Sequence, residues 1–228
     1  MVSGDLAYLA EMIKRNLVRG RVLEIGSFNR QGIVEGNAQS TCVAAGLDWT
    51  GTDIESGPGV SFVLDIFDEH EIERRESSWD VVLLFNILEH VYDPISALRN
   101  ALRLVGPSGC CVVCAPAVWE LHDFPADYWR PLPDFYREFA RREGITVPDA
   151  AMRWIVGDRL LPVETLADGK QKLLPSKRTG DHVWSSRRNT WSRIVHRVAH
   201  TTGRDMFFPY SGLGVVITKT PPQSRKLS

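Results

Sequence analysis

The sequence predicts an α/β fold: a doubly wound, mostly parallel sheet with helices on both faces. One observation behind this is a set of short, continuously apolar runs, which are typical of strands buried on both faces. The other is that segments with helical spacing of apolar residues alternate with these runs, as the connections between parallel strands require. Because both patterns continue from residue 5 to residue 115, we expect a single sheet there.

The first half of the chain supplies five predicted strands and three predicted helices. Apolar residues at helical spacing predict a first helix over residues 5–18. A second helix ends near Gly46, and a third covers residues 94–104. The predicted strands cover residues 21–25, 49–53, 60–65, 79–85 and 109–115.

The pattern changes after Pro116. Residues 117–133 are rich in aromatic residues, proline and histidine, which is typical of an ordered loop that carries function. The remaining predicted elements are a helix over 133–142, a strand over 152–156, a basic amphipathic helix over 185–200 and a last strand over 213–218. The simplest organisation is one domain over residues 1–228, with an insertion or cap at residues 157–203 before the last strand.

Composition restricts the class of protein. Of the 228 residues, 43% are hydrophobic and 24% are charged, as in ordinary globular domains. No apolar run approaches the roughly 18 residues that span a bilayer, and the first residues lack the apolar block of a signal peptide. We therefore expect a cytoplasmic protein that has no membrane partner.

Charge is distributed unevenly along the chain. Residues 1–140 carry 11 Lys and Arg against 21 Asp and Glu, whereas residues 141–228 carry 16 against 7. The basic part would attract an anionic substrate or polymer. Alternatively, the two parts balance each other across an internal or subunit contact, and a helix carrying Trp184 and Trp191 would suit a homodimer. Both interpretations stay open.

The four cysteines do not predict a metal or redox site. Cys111 and Cys114 have the C-x-x-C spacing, but they lie in an apolar run that is predicted to be a strand. Residues three apart in a strand point to opposite faces and do not share an ion. No second C-x-x-C or histidine pair completes four ligands, so we predict buried strand cysteines and no metal.

Polar residues end four of the predicted strands. They are Glu24 followed by Gly26 in the first strand, Asp53 in the second, Asp65 in the third and Asn86 after the fourth. In an open parallel sheet these ends face one crevice, where ligands bind. A dinucleotide would need a G-x-G-x-x-G turn without a nearby anion, but residues 26–32 lack that spacing and Glu24 lies beside them. The crevice is predicted to suit a cationic ligand without phosphates.

Five segments follow one another in a recognisable order. They are residues 22–27 (VLEIGS), 50–60 (TGTDIESGPGV) with 63–65 (VLD), 79–90 (WDVVLLFNILEH) with Asp93-Pro94, 102–109 (LRLVGPSG) and 122–130 (HDFPADYWR). Together they resemble the motifs of class I, Rossmann-like, S-adenosylmethionine-dependent methyltransferases of the type 11-like kind. The resemblance covers residues 20–140 and implies a seven-stranded sheet of order 3-2-1-4-5-7-6 with an antiparallel last strand.

The resemblance also implies a cofactor site for S-adenosylmethionine, with S-adenosylhomocysteine as its product. The residues that it assigns to the cofactor are Glu24, Gly26, Ser27, Asp53, Ile54, Asp65, Ile66 and Asn86. Asp53 would accept hydrogen bonds from the ribose hydroxyls, and Asp65 would bind the adenine amino group. Glu24 would help to hold the methionine ammonium, close to Gly26 and Asn86. One departure is Phe28, which stands where the family usually has its second glycine.

The acceptor side is predicted from residues 86–130. His122 and Asp123 are the candidate catalytic residues, because an alcohol acceptor must lose a proton and a histidine suits that task. The alternative is a structural His122 bonded to nearby backbone. The candidate substrate-binding residues are His90, Trp119, Tyr128, Trp129 and Arg130. Alternatively, His90 makes a local capping contact, Trp129 belongs to the core and Arg130 pairs with a surface acid.

Three functions remain open from the sequence. The first is methylation of a small-molecule or carbohydrate acceptor, most simply at oxygen. The second is methylation of a nucleic acid or an anionic glycan through a basic surface; its residues are Lys170, Lys172, Lys177, Arg178, Arg187, Arg188, Arg193 and Arg197. Nucleic acid is disfavoured because residues 86–89 (NILE) lack the N-P-P-Y pattern that stacks a flipped base. The third is a degenerate domain that binds or assembles without catalysis.

Overall fold

The computed structural model describes residues 3–29, 37–119, 121, 126–164 and 211–219. Its helices are α1 (Ser3–Lys14), α2 (Ala38–Ala44), α3 (Glu69–Arg74), α4 (Pro94–Leu104) and α5 (Pro133–Glu143), with a 3-10 turn at Asp149–Ala151. Its strands are β1 (Arg21–Ile25), β2 (Asp48–Asp53), β3 (Phe62–Val63), β4 (Trp79–Phe85), β5 (Val105–Val118), β6 (Arg153–Val156), β7 (Arg159–Pro162) and β8 (Ser211–Thr218).

The eight strands form one sheet of order β3-β2-β1-β4-β5-β8-β6-β7. The strands β3, β2, β1, β4 and β5 run parallel, and β8 runs antiparallel to both β5 and β6. This confirms the predicted doubly wound sheet and the antiparallel last strand between two earlier ones. The sheet has one strand more than predicted, because β7 pairs with β6 at the edge.

The extra strand is part of a tight hairpin. Val156 of β6 pairs with Arg159 of β7, so two residues form the turn. Gly157 has φ +56°, the left-handed backbone that two-residue hairpin turns need. Residues 157–162, which were assigned to the predicted insertion, are therefore part of the sheet. The rest of that insertion, with the predicted helix over 185–200 and its basic residues, lies outside the described residues.

Helix α1 is fastened to the β6–β7 hairpin. The Tyr8 hydroxyl donates to the Ala151 carbonyl over 2.7 Å, and Arg153 pairs with Glu11 at 2.9 Å. A Cβ atom on Gly4 would overlap the Gly157 carbonyl oxygen, so this glycine lets the helix approach the hairpin backbone. Helix α1 therefore packs against the edge of the sheet that the β6–β7 hairpin forms.

One face of the sheet packs against α1 and α2 in a continuous core. Its members include Tyr8, Leu9 and Met12 of α1, Cys42 of α2, and Val81, Leu83, Cys110, Val112 and Cys114 of the two central strands. Cys110 and Cys114 lie in this core, whereas the equally buried Cys111 does not belong to it. The expected opposite faces of Cys111 and Cys114 are thus confirmed. None of the helices in the described part is long and apolar enough to cross a membrane.

Side-chain caps begin the helices that follow the parallel strands. Asn37 caps α2, Asp68 caps α3 and Asp93 caps α4, each by accepting a backbone N–H of the first turn. Pro94 occupies the first position of α4, where its missing N–H costs nothing. The described residues directly after β1, β2, β3 and β4 build the candidate site.

Candidate active site

The turn after β1 is held open by a glycine. Gly26 has φ +81°, and a Cβ atom there would overlap the Ile87 side chain. The N–H groups of Gly26 and Ser27 both donate to the Thr52 carbonyl of β2, at 2.8 and 3.0 Å. The turn therefore crosses the carboxyl ends of β1 and β2 closely, as a cofactor-binding turn at this switch point requires.

Phe28 is accommodated by a glycine of the next turn. A Cβ atom on Gly57 would overlap the Phe28 ring, so the ring lies directly on the Gly57 backbone. Asn29 donates its N–H to the Pro58 carbonyl over 2.8 Å, and the Ser27 hydroxyl donates to the Gly59 carbonyl over 2.8 Å. Phe28, the departure from the family pattern, is thus part of a segment that is joined to the Gly57–Gly59 turn. It does not open the turn after β1.

Asp53 lies at the end of β2, where ribose recognition was predicted. Its Oδ2 accepts the Phe28 N–H over 3.1 Å and its Oδ1 accepts the Glu55 N–H over 3.3 Å. A carboxylate has about four lone pairs, so each oxygen retains capacity for a ligand hydroxyl. The adjacent Ile54 side chain is 63% exposed, an apolar surface beside the carboxylate.

Asp65 and Ile66 form a fixed turn after β3. Asp65 is exposed, and its Oδ1 accepts the Phe67 N–H over 2.9 Å. The Asn100 side chain donates to the Ile66 carbonyl over 2.9 Å, which holds the peptide that follows Ile66. The structure thus places Asp53, Ile54, Asp65 and Ile66 at one edge, on adjacent strand ends.

Glu24 is more deeply buried than its predicted role of holding the methionine ammonium implied. It is 5% exposed, and its Oε2 accepts the Trp49 indole N–H over 2.9 Å. Burial raises the pKa of this carboxyl to about 7, and the bond from Trp49 opposes that rise. Direct contact with a ligand ammonium stays a prediction.

Asn86 is joined to a residue that the sequence did not single out. It adopts φ +56° directly after β4, and its Nδ2 donates to Asp5 Oδ2 over 2.8 Å. Asp5 belongs to α1 and is only 3% exposed. The signal was present in the sequence, because Asp5 shares the apolar stripe of Leu9 and Met12 at helical spacing.

Residues 126–130, called here the aromatic loop, are docked onto the segment after β4. Tyr128 donates its N–H to the Glu89 carbonyl over 2.7 Å, and His90 Nδ1 lies 2.5 Å from the Ala126 carbonyl oxygen. The Trp129 indole N–H donates to the Tyr92 carbonyl over 3.2 Å. The structure therefore brings His90 together with the predicted substrate-binding residues of the loop.

The side chains of the aromatic loop differ in exposure. Tyr128 and Trp129 are 51% and 44% exposed, so the alternative of Trp129 as a core residue is wrong. Arg130 makes a two-pronged ion pair with Asp127, whose side chain is 1% exposed. Trp119 is half-buried just after β5. The candidate catalytic pair, His122 and Asp123, lies outside the described residues.

Beneath the loop lies a buried carboxyl that the sequence did not distinguish. Neither oxygen of Glu89 nor the hydroxyl of Tyr136 has a hydrogen-bond partner among the residues that the structure describes. Glu89 is fully buried, and burial raises its pKa to about 7. Such groups are rare in folded proteins and call for an explanation.

The side chains at the crevice fit a cationic cofactor. Residues 24–29, 51–55, 63–67 and 86–88 contribute four carboxylates and no lysine or arginine. A pyrophosphate would be repelled there, whereas ribose hydroxyls, an ammonium and a sulfonium are all matched by carboxylate oxygens. These residues fit S-adenosylmethionine. Within the described part, no cluster of three or more His, Cys, Asp or Glu side chains is placed to hold a metal ion.

Known proteins resemble this chain in sequence. A family model described as a methyltransferase domain matches residues 5–155. The ubiquinone biosynthesis O-methyltransferase of Vibrio campbellii is 32% identical over 98 residues, 39% of this chain and 40% of that protein. The matched stretch thus spans about two fifths of that curated relative.

Solved structures share the fold at low sequence identity. A SAM-dependent methyltransferase from Archaeoglobus fulgidus has a TM-score of 0.51 at 15% identity and covers 93% of each chain. The 1,6-didemethyltoxoflavin-N1-methyltransferase of Burkholderia thailandensis, solved with bound S-adenosylhomocysteine, has a TM-score of 0.54 at 13% identity. That likeness covers 96% of this chain and 78% of the other. With its motifs, its sheet order and a family match over 151 of 228 residues, the chain belongs to the methyltransferase domain family, the class I S-adenosylmethionine-dependent methyltransferases.

Proposed function

We propose that this protein methylates a hydroxyl group of a small-molecule acceptor, using S-adenosylmethionine. The observation that carries the proposal is that two features lie next to each other. Residues 24–29, 51–55, 63–67 and 86–88 contribute only acidic charged side chains, and the exposed residues Tyr128 and Trp129 are hydrogen-bonded to Glu89 and Tyr92, which directly follow the last of these segments. The ubiquinone biosynthesis O-methyltransferases among its relatives support oxygen as the acceptor atom. Exposed aromatic rings suit a planar or carbohydrate acceptor, since both offer flat faces.

The residues at the strand ends would hold the cofactor. Asp53 would accept from the ribose hydroxyls, Asp65 would bind the adenine amino group, and Gly26 would let the backbone approach the methionine part. When bound, S-adenosylmethionine supplies a methyl group already activated by a sulfonium. The task left to the protein is mainly positioning, worth roughly 7–11 kcal/mol in favourable cases.

On the acceptor side, the aromatic loop would orient the ring of the acceptor. An alcohol or phenol must also lose its proton, and His122 remains our proposed base for this step, with Asp123 beside it in sequence. His122→Ala should lower kcat for hydroxyl acceptors while leaving the affinity for S-adenosylhomocysteine unchanged. Equal loss of both quantities would assign His122 a structural role instead.

Cofactor binding is the first test. Calorimetric titration with S-adenosylhomocysteine should give saturable binding to the wild-type protein. Asp53→Ala should weaken it by about a hundredfold or more, because two hydrogen bonds to a charged group, each worth about 1.5–3 kcal/mol, are lost. The matched control is Asp48→Ala at the opposite, exposed end of the same strand, which should leave the affinity unchanged. Absence of binding in the wild type would refute the proposed function.

The acceptor class is tested by transfer of a tritiated methyl group. Panels of phenols, sugars, amines and RNA should show incorporation into hydroxyl compounds. Incorporation confined to RNA, with a steep loss on adding salt, would instead favour the basic-surface alternative.

A further inference from the structure

The aromatic loop is docked by contacts that converge on one short segment. Three of its residues bind His90, Tyr92 and the Glu89 backbone through the hydrogen bonds described above. The rings of Tyr92 and Tyr128 also meet edge to face at 5.8 Å. The position of the loop therefore depends on residues 89–92, and Glu89 is the only one of these four whose side chain is fully buried.

Several charged and titratable groups face the Glu89 carboxyl. They are Asp5 of α1, Cys114 of β5, Tyr136 of α5, and Asp127 and Arg130 of the aromatic loop. His90 Nε2 lies 3.8 Å from Glu89 Oε1, which is too long for a hydrogen bond. Besides burial, the negative charges of Asp127 and Asp5 disfavour a negative charge on Glu89. The permanently charged cation among them is Arg130, and Asp127 already holds it.

We propose that Glu89 is a positioning residue whose protonation state controls how the aromatic loop docks. With a neutral Glu89, Arg130 stays on Asp127 and the loop lies as described. An ionised Glu89 is a buried charge without a partner, which is strongly disfavoured, and it competes with Asp127 for Arg130. When the Arg130 guanidinium moves from Asp127 towards Glu89, the position of the aromatic loop changes.

This exchange would occur near neutrality. Burial raises the pKa of Glu89 to about 7, the positive charge of Arg130 opposes the rise, and Asp127 and Asp5 reinforce it. The consequence for acceptor binding rests on the proposed function, because it assumes that the loop receives the acceptor. The change in how the aromatic loop docks does not depend on the proposed function.

The direct test observes Trp129 by fluorine NMR of protein labelled with 5-fluorotryptophan. The chain has seven tryptophans, and Trp129→Phe assigns the resonance. In the wild type this resonance should shift between about pH 5 and about pH 9, with a midpoint close to 7. Glu89→Gln, which mimics the neutral carboxyl, should hold it at its low-pH position throughout.

The matched control is Glu24→Gln, because Glu24 is also buried with a pKa of about 7 but lies against Trp49. This variant should keep the wild-type titration of Trp129. A wild-type resonance that does not move overturns the proposal. So does an unchanged titration in Glu89→Gln, which would assign the transition to His90.

Two further variants change the neighbours and leave Glu89 in place. Arg130→Gln removes the cation that is exchanged and should abolish the pH-dependent shift of the Trp129 resonance. Asp127→Asn removes the competing anion and should move the midpoint of that shift to lower pH. A wild-type titration in both variants contradicts the exchange of Arg130.

Activity then reports on the acceptor. In the wild type, KM for the acceptor should rise severalfold above the midpoint; in Glu89→Gln the KM should not depend on pH. If no acceptor is methylated, the proposed function fails, and the Trp129 titration still decides the role of Glu89.

Discussion

At the scale of single residues, the site is built from pairs of residues that are distant in the sequence and in contact in the structure. Phe28 and Gly57 lie 29 positions apart, and the ring of one occupies the space that a side chain on the other would need. The Phe28 N–H also binds Asp53, so the position of the aromatic ring and the orientation of the proposed ribose ligand are linked.

That link gives a rescue experiment. Gly57→Ala should displace the Phe28 ring, disturb the Phe28–Asp53 bond and weaken the affinity for S-adenosylhomocysteine roughly tenfold, since one charge-assisted hydrogen bond is worth about 1.5–3 kcal/mol. Adding Phe28→Ala removes the overlap and should restore part of the affinity. If the double variant binds no better than Gly57→Ala alone, the two positions are not coupled.

The strand-end residues show what the sequence can and cannot predict at this scale. Placing Asp53, Asp65 and Asn86 at one edge needed only the strand ends and the rule that parallel strands end together. Their partners depend on register, which no local pattern contains. Glu24 meets Trp49 because β1 pairs with β2 so that Glu24 lies opposite Gly51, two residues from Trp49. Asp5 reaches Asn86 only because α1 folds back over 81 positions.

At the scale of elements, β1 and β4 were predicted closely, whereas β3 is shorter and β5 is longer than predicted. The bounds of β1 and β4 are identical to those predicted, since each strand is a mostly apolar run that is buried over most of its length. Helix α3 and strand β7 were missed because each is short and mostly exposed. The Asp68 cap and the Gly157-Asp158 turn were the available signals.

The docking of α1 on the hairpin is testable at this scale. Gly4→Ala places a methyl group against backbone of Gly157, which cannot move aside as a side chain can. We expect a loss of roughly 1–3 kcal/mol in the free energy of unfolding from overpacking, partly offset by the better helix propensity of alanine. Denaturation in urea measures it. Gly106→Ala is the control, because its nearest neighbour would lie at 3.5 Å, an ordinary contact; equal effects of the two changes would exclude a close approach at Gly4.

At the scale of the whole molecule, two buried carboxyls determine how stability depends on pH. The pKa values of Glu24 and Glu89 are both raised from 4.5 to about 7, in each case chiefly by burial. Below pH 4.5 both groups are protonated whether the chain is folded or unfolded. Between 4.5 and 7 the folded state retains protons that the unfolded state releases, so their contribution to stability falls as pH rises through this window.

The predicted loss is up to about 3 kcal/mol for each carboxyl by pH 8, because each tenfold change in proton affinity is worth about 1.4 kcal/mol. Urea denaturation of the wild type at several pH values should show this decline, and Glu24→Gln and Glu89→Gln should each flatten it. A variant whose stability follows the same pH dependence as the wild type would show that folding does not raise the pKa of its carboxyl.

The place of β8 has a consequence for the order in which the molecule is assembled. The strand formed by residues 211–218 is the only bridge, within the described sheet, between the parallel half and the β6–β7 hairpin. Until the ribosome has released those residues, β5 and β6 each present an unpaired edge, which is the surface that promotes association between chains. Helix α1 is made before the other described elements, yet the β6–β7 hairpin that it contacts is connected to the parallel strands through β8. The nascent chain therefore carries a half-finished sheet until β8 emerges. A cut before residue 211 would remove the strand that connects the hairpin to β5. Helix α1, and with it the contact between Asp5 and Asn86, would then lose that support.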